Sequence, residues 1–386
     1  LNFSKNKTKT ADAKIIWLED SEEFAAASER WSDSEYLAID TEFERRTTYY
    51  PRLALLQIYD GESVYLIDPF KVECPDSFRK ICADSKVTKI MHSAKEDLEV
   101  LFTCWQCEFS ALFDTQVAYA FLEGEISLGY ANLVNSLCHK TLSKEETQSD
   151  WTQRPLTPTQ ESYAVNDVLY LPEIFELLSQ KISQQKFYQY FVAECDEMCA
   201  QVKDLIDFEQ DYRLAKEANR LNGMQLVLFK QLFQWREQTG QHDNRTRNHI
   251  LKDQQMVQVA INKPESKRQL NNIKDIHPRT LRLYGDRIIE LIKNFKGSSH
   301  SALDPVINPR EINTLKPLKK ALETEVKKLA AQVGLETNVV ASKRAVGKIA
   351  TAYLTGEPFP KIWQGWRGDM LKPAFAPIFA QFGTTN

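Results

Sequence analysis

The chain has 386 residues, 42% of them hydrophobic and 26% charged, a globular composition too long for one ordinary core and sufficient for two or three domains. Its net charge of −4 divides unevenly, with 20 Lys+Arg against 37 Asp+Glu in residues 1–210 and 29 against 16 in residues 211–386. No apolar run reaches membrane-span length, and the seven cysteines follow no framework spacing, which excludes a membrane-spanning or disulfide-stapled chain.

The first residues, "LNFSKNKTKT", lack both an initiator Met and the apolar centre of a signal peptide, so the sequence reads as trimmed or tagged and the protein as cytoplasmic. Three β-rich runs follow: "EYLAIDTEF", "ALLQIYD" and "SVYLID". Turn residues separate them, among them Asp60-Gly61, a hairpin signal, so they read as an antiparallel meander. Next come a helical segment around "DSFRKICADS", a short strand "TKIMHS" and a helix "KEDLEVLFTCW". From there to about residue 205 the pattern is mostly helical, which predicts a mixed α/β sheet covered by helices.

Beyond residue 211 the strand signal fades. "RLNGMQLVLFKQLFQWREQTG" and "PRTLRLYGDRIIELIKNF" are amphipathic helices with basic outer faces. The stretch "KGSSHSALDPVINPRE" has linker composition, and helical patterns resume after it. The expected domains are 12–207 (α/β), 211–296 (helical), a linker at 297–311, and 312–386 (helical). The charge split points to an acidic half that binds cations and a basic half that holds a polyanion, with chance clustering of solvated charge as the plain alternative.

Four acids and one tyrosine carry the chemistry. Asp40 and Glu42 lie two residues apart at the end of an apolar strand, so they share one face and repel each other. Asp97 falls at the start of the helix after "TKIMHS", and Asp167 stands four residues after Tyr163 in "SYAVNDVLYL", one helical turn on. Singly, each has an ordinary reading: a capping Asp, a helix pair, a solvated D-x-E. Gathered together, they would raise one another's pKa values steeply and call for divalent cations, whose preferred ligands are carboxylate oxygens.

D-x-E after an apolar strand, H-x-x-x-x-D in "HSAKED", and Y-x-x-x-D on a late helix resemble the three motifs of the DEDD exonuclease superfamily, tyrosine branch. The words "LAIDTEFERRTTYYPRLALLQI", "MHSAKEDLEVL", "GYANLV" and "SDWTQRPLTPTQESYAVNDVLYL" are similar to bacterial ribonuclease D over residues from about 14 to 205. The helical half resembles, less sharply, two HRDC domains, chiefly in "FKQLFQWREQTGQHDNRTRNHILKD" and "IWQGWRGDMLKPAF".

The resemblance implies a ribonuclease-H-like fold and a metal-dependent 3′→5′ exoribonuclease that releases nucleoside 5′-monophosphates, with RNA, and tRNA precursors in particular, as substrate. It implies two divalent ions, Mg²⁺ or Mn²⁺. Asp40 and Asp167 would hold the ion that activates the attacking water, Asp40 bridging to the second and Glu42 supporting the first. Asp97 would act around the second ion, and Tyr163 would orient the water, its ordinary pKa near ~10 making it a poor base at neutral pH. A DNA 3′→5′ exonuclease and a non-catalytic nucleic-acid scaffold are the alternatives. No G-x-x-x-x-G-K-[ST] occurs, so no ATP site is expected.

Other residues have two readings each. Phe43 is a stacking platform for the terminal base or a core residue. His92 contacts substrate or makes a structural hydrogen bond. Trp151 and Arg154 line a substrate channel or anchor a loop. Gln57 reads as a strand residue, and Cys104 and Cys107 in "CWQC" as structural, since neither further zinc ligands nor a redox context accompany them. The basic helical half is either an RNA clamp or a packing module.

Overall fold

The computed structural model describes residues 13–142, 149–202, 211–215, 217–304, 306 and 312–382. Residue 12, the end of the first expected domain at 203–207, and linker positions 305 and 307–311 lie outside the described residues. The described chain forms two compact units. One holds residues 13–44, 52–202 and 314–382; the other holds 45–51 together with the described residues between 211 and 313.

The first unit is built on six strands: β1 (Lys14–Leu18), β2 (Tyr36–Glu44), β3 (Arg52–Tyr59), β4 (Ser63–Ile67), β5 (Thr88–Met91) and β6 (Leu112–Asp114), in sheet order β1-β4-β3-β2-β5-β6. β2, β3 and β4 form the expected antiparallel meander, and parallel pairs β1–β4, β2–β5 and β5–β6 extend it. β1 and β6 were not among the runs read from sequence. Both are short edge strands, and β1 finds its parallel partner almost fifty residues away, a pairing no local pattern announces.

Direct partners share a face. Ile39, Ile58 and Tyr65 therefore line one side of the sheet, and Asp40, Gln57 and Leu66 line the other. The first side is covered by α1 (Ser21–Trp31), α2 (Asp76–Ala83) and α3 (Lys95–Trp105). Asp20 caps α1 by accepting from the backbone N–H groups of Glu22 and Glu23, and Phe24, Ala27 and Trp31 recur at helical spacing on its buried face. Phe24 meets Phe78 at 5.3 Å and Trp105 at 5.9 Å, while Trp31 meets Tyr65 edge-on at 5.0 Å, an aromatic seam that fixes these helices to the sheet.

On the remaining sides come α4 (Thr115–Glu123), α5 (Tyr130–Cys138), α6 (Pro158–Leu169), α7 (Leu171–Ile182) and α8 (Tyr188–Gln201). α6 lies over β2, β3 and β4, and its start is specified locally by Pro158 at the first turn and a reciprocal capping box between Thr157 and Gln160.

The second unit contains α9 (Gly223–His242), α10 (Arg247–Ile250), α11 (Asp253–Asn262), α12 (Lys267–Asn271) and α13 (Pro278–Gly297) around a core that includes Leu226, Phe229, Leu232, Met256, Ile288 and Ile292. Seven residues that directly follow β2 belong to it. Within this unit the Tyr49 hydroxyl donates to Glu237 Oε2 at 3.1 Å, and the backbone N–H groups of Tyr49 and Tyr50 both donate to Asn244 Oδ1 at 3.0 Å. Gly240 leaves room for the Tyr49 ring, which a Cβ there would meet at 2.7 Å.

The chain then returns to the first unit with α14 (Leu315–Val333), α15 (Thr337–Val340), α16 (Lys343–Thr355) and α17 (Gly365–Phe382). Here α17 packs on α8 through polar and aromatic anchors: the Trp366 N–H donates to Glu197 Oε1 at 2.9 Å, the Trp366 indole to Glu194 Oε2 at 2.7 Å, and Arg367 pairs with Glu194. Among the described residues no helix is long and apolar enough to cross a membrane.

Candidate active site

β2 is apolar along Leu37, Ala38 and Ile39, all fully buried, and turns acidic where its pairing with β5 ends at Ala38. Asp40 and Glu42 therefore project at the carboxyl end of a parallel strand pair, the usual position for a site in such sheets. They face α6, and Asp167 on that helix closes on them: the three residues each offer a carboxylate oxygen within 4.8 Å of the others.

Asp97 arrives from the opposite side of β2. It lies in the first turn of α3, and its Oδ1 accepts from the Thr41 hydroxyl at 2.5 Å, Thr41 being the residue whose side chain leaves the strand between those of the two acids. Asp97 therefore stands outside the three-oxygen cluster, yet its charge is felt by Asp40, Glu42 and Asp167.

Desolvation is the largest cause that raises all four carboxyls. The Asp40 carboxyl is held well above the ordinary carboxylate range by burial and by repulsion from Asp97, Asp167 and Glu42. The same forces push Glu42 up to about 9 and Asp167 to about 8. Asp97 rises to about 7, its hydrogen bond from Thr41 opposing the burial. Three clustered oxygen donors with this much unrelieved charge suit a hard divalent cation, which would supply the missing positive charge.

Tyr163 precedes Asp167 by one turn on α6, and its ring lies 5.9 Å from that of Trp151, which is 4% exposed. The Trp151 loop is tied to the sheet by Arg154. Its Nε and Nη2 donate to the buried Asp68 carboxylate, Nη2 also to the Ala54 carbonyl, and Nη1 to the carbonyls of Trp151 and Gln153. These bonds use every N–H donor of the guanidinium. His92 is similarly occupied: Nδ1 meets Thr115 Oγ1 at 2.9 Å, Nε2 meets the Leu128 carbonyl at 3.1 Å, and burial lowers its pKa. Phe43 lies half-buried at a strand irregularity between Glu42 and Phe43.

Three further residues shape the site. Asp114, fully buried at the end of β6, accepts from the backbone N–H groups of Ser93, Ala94, Gln116 and Val117, which fixes the turn that leads into α3 and hence Asp97. Tyr130 donates its hydroxyl to the Asn166 carbonyl at 3.0 Å, beside Asp167, and burial with the charges of Asp167 and Asp40 raises its pKa. Gln57 is fully buried directly across from Asp40, and among the described residues neither of its amide atoms has a hydrogen-bond partner. The Asp-Thr step at 114–115 is a cap signal readable in sequence; the other two residues act across distances that sequence spacing does not encode.

A family described as 3′-5′ exonuclease matches residues 15–183, and one described as HRDC domain matches residues 225–292. The chain is 33% identical to the ribonuclease D of Pseudomonas paraeruginosa over 94% of its own length and 96% of the relative's. It is 31% identical to the ribonuclease D of Musicola paradisiaca, over 90% and 93%. The crystal structure of Escherichia coli RNase D, described as an exoribonuclease involved in structured RNA processing, superposes with a TM-score of 0.88 at 26% identity, covering 97% of this chain and all of that one.

Proposed function

This chain belongs to the ribonuclease D family, and from that premise we propose how its acidic site removes nucleotides from RNA 3′ ends. The protein is a 3′→5′ exoribonuclease, and its family depends on divalent metal. The observation that carries the site assignment is the convergence of Asp40, Glu42 and Asp167 at the end of β2.

Asp40 and Asp167 would hold one divalent ion with Glu42 in support, and Asp40 would also help to hold a second. Asp97, oriented by Thr41, would hold that second ion. When bound, two Mg²⁺ or Mn²⁺ ions would supply the Lewis acidity for activating water and for offsetting charge on the departing 3′ oxygen. Tyr163, steadied by the Trp151 ring, orients the water toward the phosphorus. Phe43, at the rim, offers a face for the terminal base. The products are nucleoside 5′-monophosphates, and structured RNAs with 3′ extensions, tRNA precursors among them, are the substrates this reading assigns.

The test uses 5′-labelled and 3′-labelled RNA and DNA oligomers with Mg²⁺, Mn²⁺ or EDTA. RNA shortening from the 3′ end in metal alone is expected, with Asp40→Asn and Asp167→Asn slower by about 10³-fold or more. Either variant cutting at the wild-type rate removes the assignment.

A further inference from the structure

The second unit pairs many of its cations. Arg236 bonds Asp253 at 2.7 Å, Arg247 bonds Glu237 at 2.7 Å, Lys267 bonds Asp286 at 2.7 Å and Arg287 bonds Glu290 at 2.7 Å, while Lys296 pairs with Glu265. One cavity breaks this pattern. It is a solvent-open hollow of about 420 Å³ lined by half-buried Arg245 and by exposed His249, Lys252, His277 and Arg279, with Asp275, also exposed, its one acid. Among the described residues neither Lys252 nor Arg279 has an ionic partner.

The backbone around this hollow is held by hydrogen bonds. Gln255, buried, spends its amide on the frame: Oε1 accepts from the Lys252 N–H at 2.9 Å and Nε2 donates to the Asp275 carbonyl at 2.7 Å. That second bond holds Asp275, whose φ is +64°. Tyr284 donates to Asp243 at 3.0 Å. His277 caps α13, its Nδ1 accepting from the Arg279 N–H at 3.1 Å, which places the ring proton on Nε2 as a donor.

Unpaired cations around a preformed hollow call for an anion with several acceptor oxygens. The carboxylate among them calls for a ligand that also donates, as a ribose hydroxyl does. A volume of this size falls within the roughly 300–1,000 Å³ range of small-ligand pockets. We propose that this cavity seats one nucleotide of an RNA chain, its phosphate on Arg245, Lys252 and Arg279 and its 2′-hydroxyl on Asp275. The inference rests on the exoribonuclease reading for its RNA, and not on the acidic site for its chemistry.

The experiment measures binding of the full chain to a labelled structured RNA in EDTA, where no cleavage occurs, across a series of salt concentrations. Lys252→Glu/Arg279→Glu should weaken binding at least tenfold and reduce the log–log salt slope by about 2. Lys252→Gln/Arg279→Gln, gentler to the fold, should move both in the same direction, whereas Lys267→Gln/Arg287→Gln, equal in charge but outside the cavity, should not. Asp275→Asn should weaken RNA binding and leave binding of the matched DNA unchanged. Equal losses in the cavity and control pairs mean bulk charge and overturn the seat, as does unchanged RNA affinity in the cavity pair. Binding of AMP or of polyglutamate that depends on the cavity pair, while RNA binding does not, overturns it in favour of a free nucleotide or an acidic protein. A wild-type protein that binds RNA through this cavity yet never cuts it would instead sink the reading of the acids.

Discussion

Glu42, Asp167 and Asp97 hold their protons far above the ordinary carboxylate range, to about pH 9, 8 and 7. In the unfolded chain the same groups release them near ~4. Between those limits the folded state binds more protons than the unfolded one, so stability is lost as pH rises. The metal-free protein is therefore expected to melt at progressively lower temperature from about pH 4.5 to 9. Asp167→Asn or Mn²⁺ should flatten that slope; thermal scans in EDTA that slope equally for the variant and the wild type would refute this origin. Tyr163→Phe should keep the melting temperature and lose activity on the order of 10²-fold, read from single-turnover cleavage. At this scale the sequence was informative where spacing alone sets direction. Asp40 and Glu42 share a face because a strand repeats every two residues, and Tyr163 and Asp167 because a helix repeats near four. The Thr41–Asp97 bond was not legible, since it joins residues fifty-six positions apart, one on β2 and one on α3. Nor was the role of Arg154, whose partners Asp68 and Ala54 lie far back in the chain.

Elements were readable where their own residues specify them. α6 carries Pro158 and a capping box at its start, and the β2–β4 meander carries long β-branched and leucine runs broken by Asp60-Gly61. β1 and β6 have only five and three residues and depend on neighbours for their identity. The packing of α17 on α8 likewise escapes any periodicity, because it hangs on a few contacts. Gly365 has φ +56°, and a Cβ there would meet Glu197 Oε1 at 1.4 Å. Gly365→Ala is thus expected to separate α17 from Glu194 and Glu197, lowering the melting temperature and exposing residues 314–382 to limited proteolysis. A variant as resistant to protease as the wild type would show that this close approach is dispensable.

At the scale of the whole molecule, the charge split between halves is real in sequence but does not follow the units. Residues 314–382 carry part of the basic excess yet fold with the acidic sheet. The division of labour is therefore finer than half against half, and the basic cavity gives the helical unit a specific surface where net charge gave only a tendency. The seven residues after β2 have a consequence of their own. The backbone leaves the strand that bears Asp40 and Glu42 and is next tethered, through Tyr49 and Asn244, inside a different folded body. Those seven residues are thus a covalent link between the strand of the first two acids and the hydrogen-bonded interior of the helical unit. Along the chain, the nuclease and its helical companion are spliced rather than strung together.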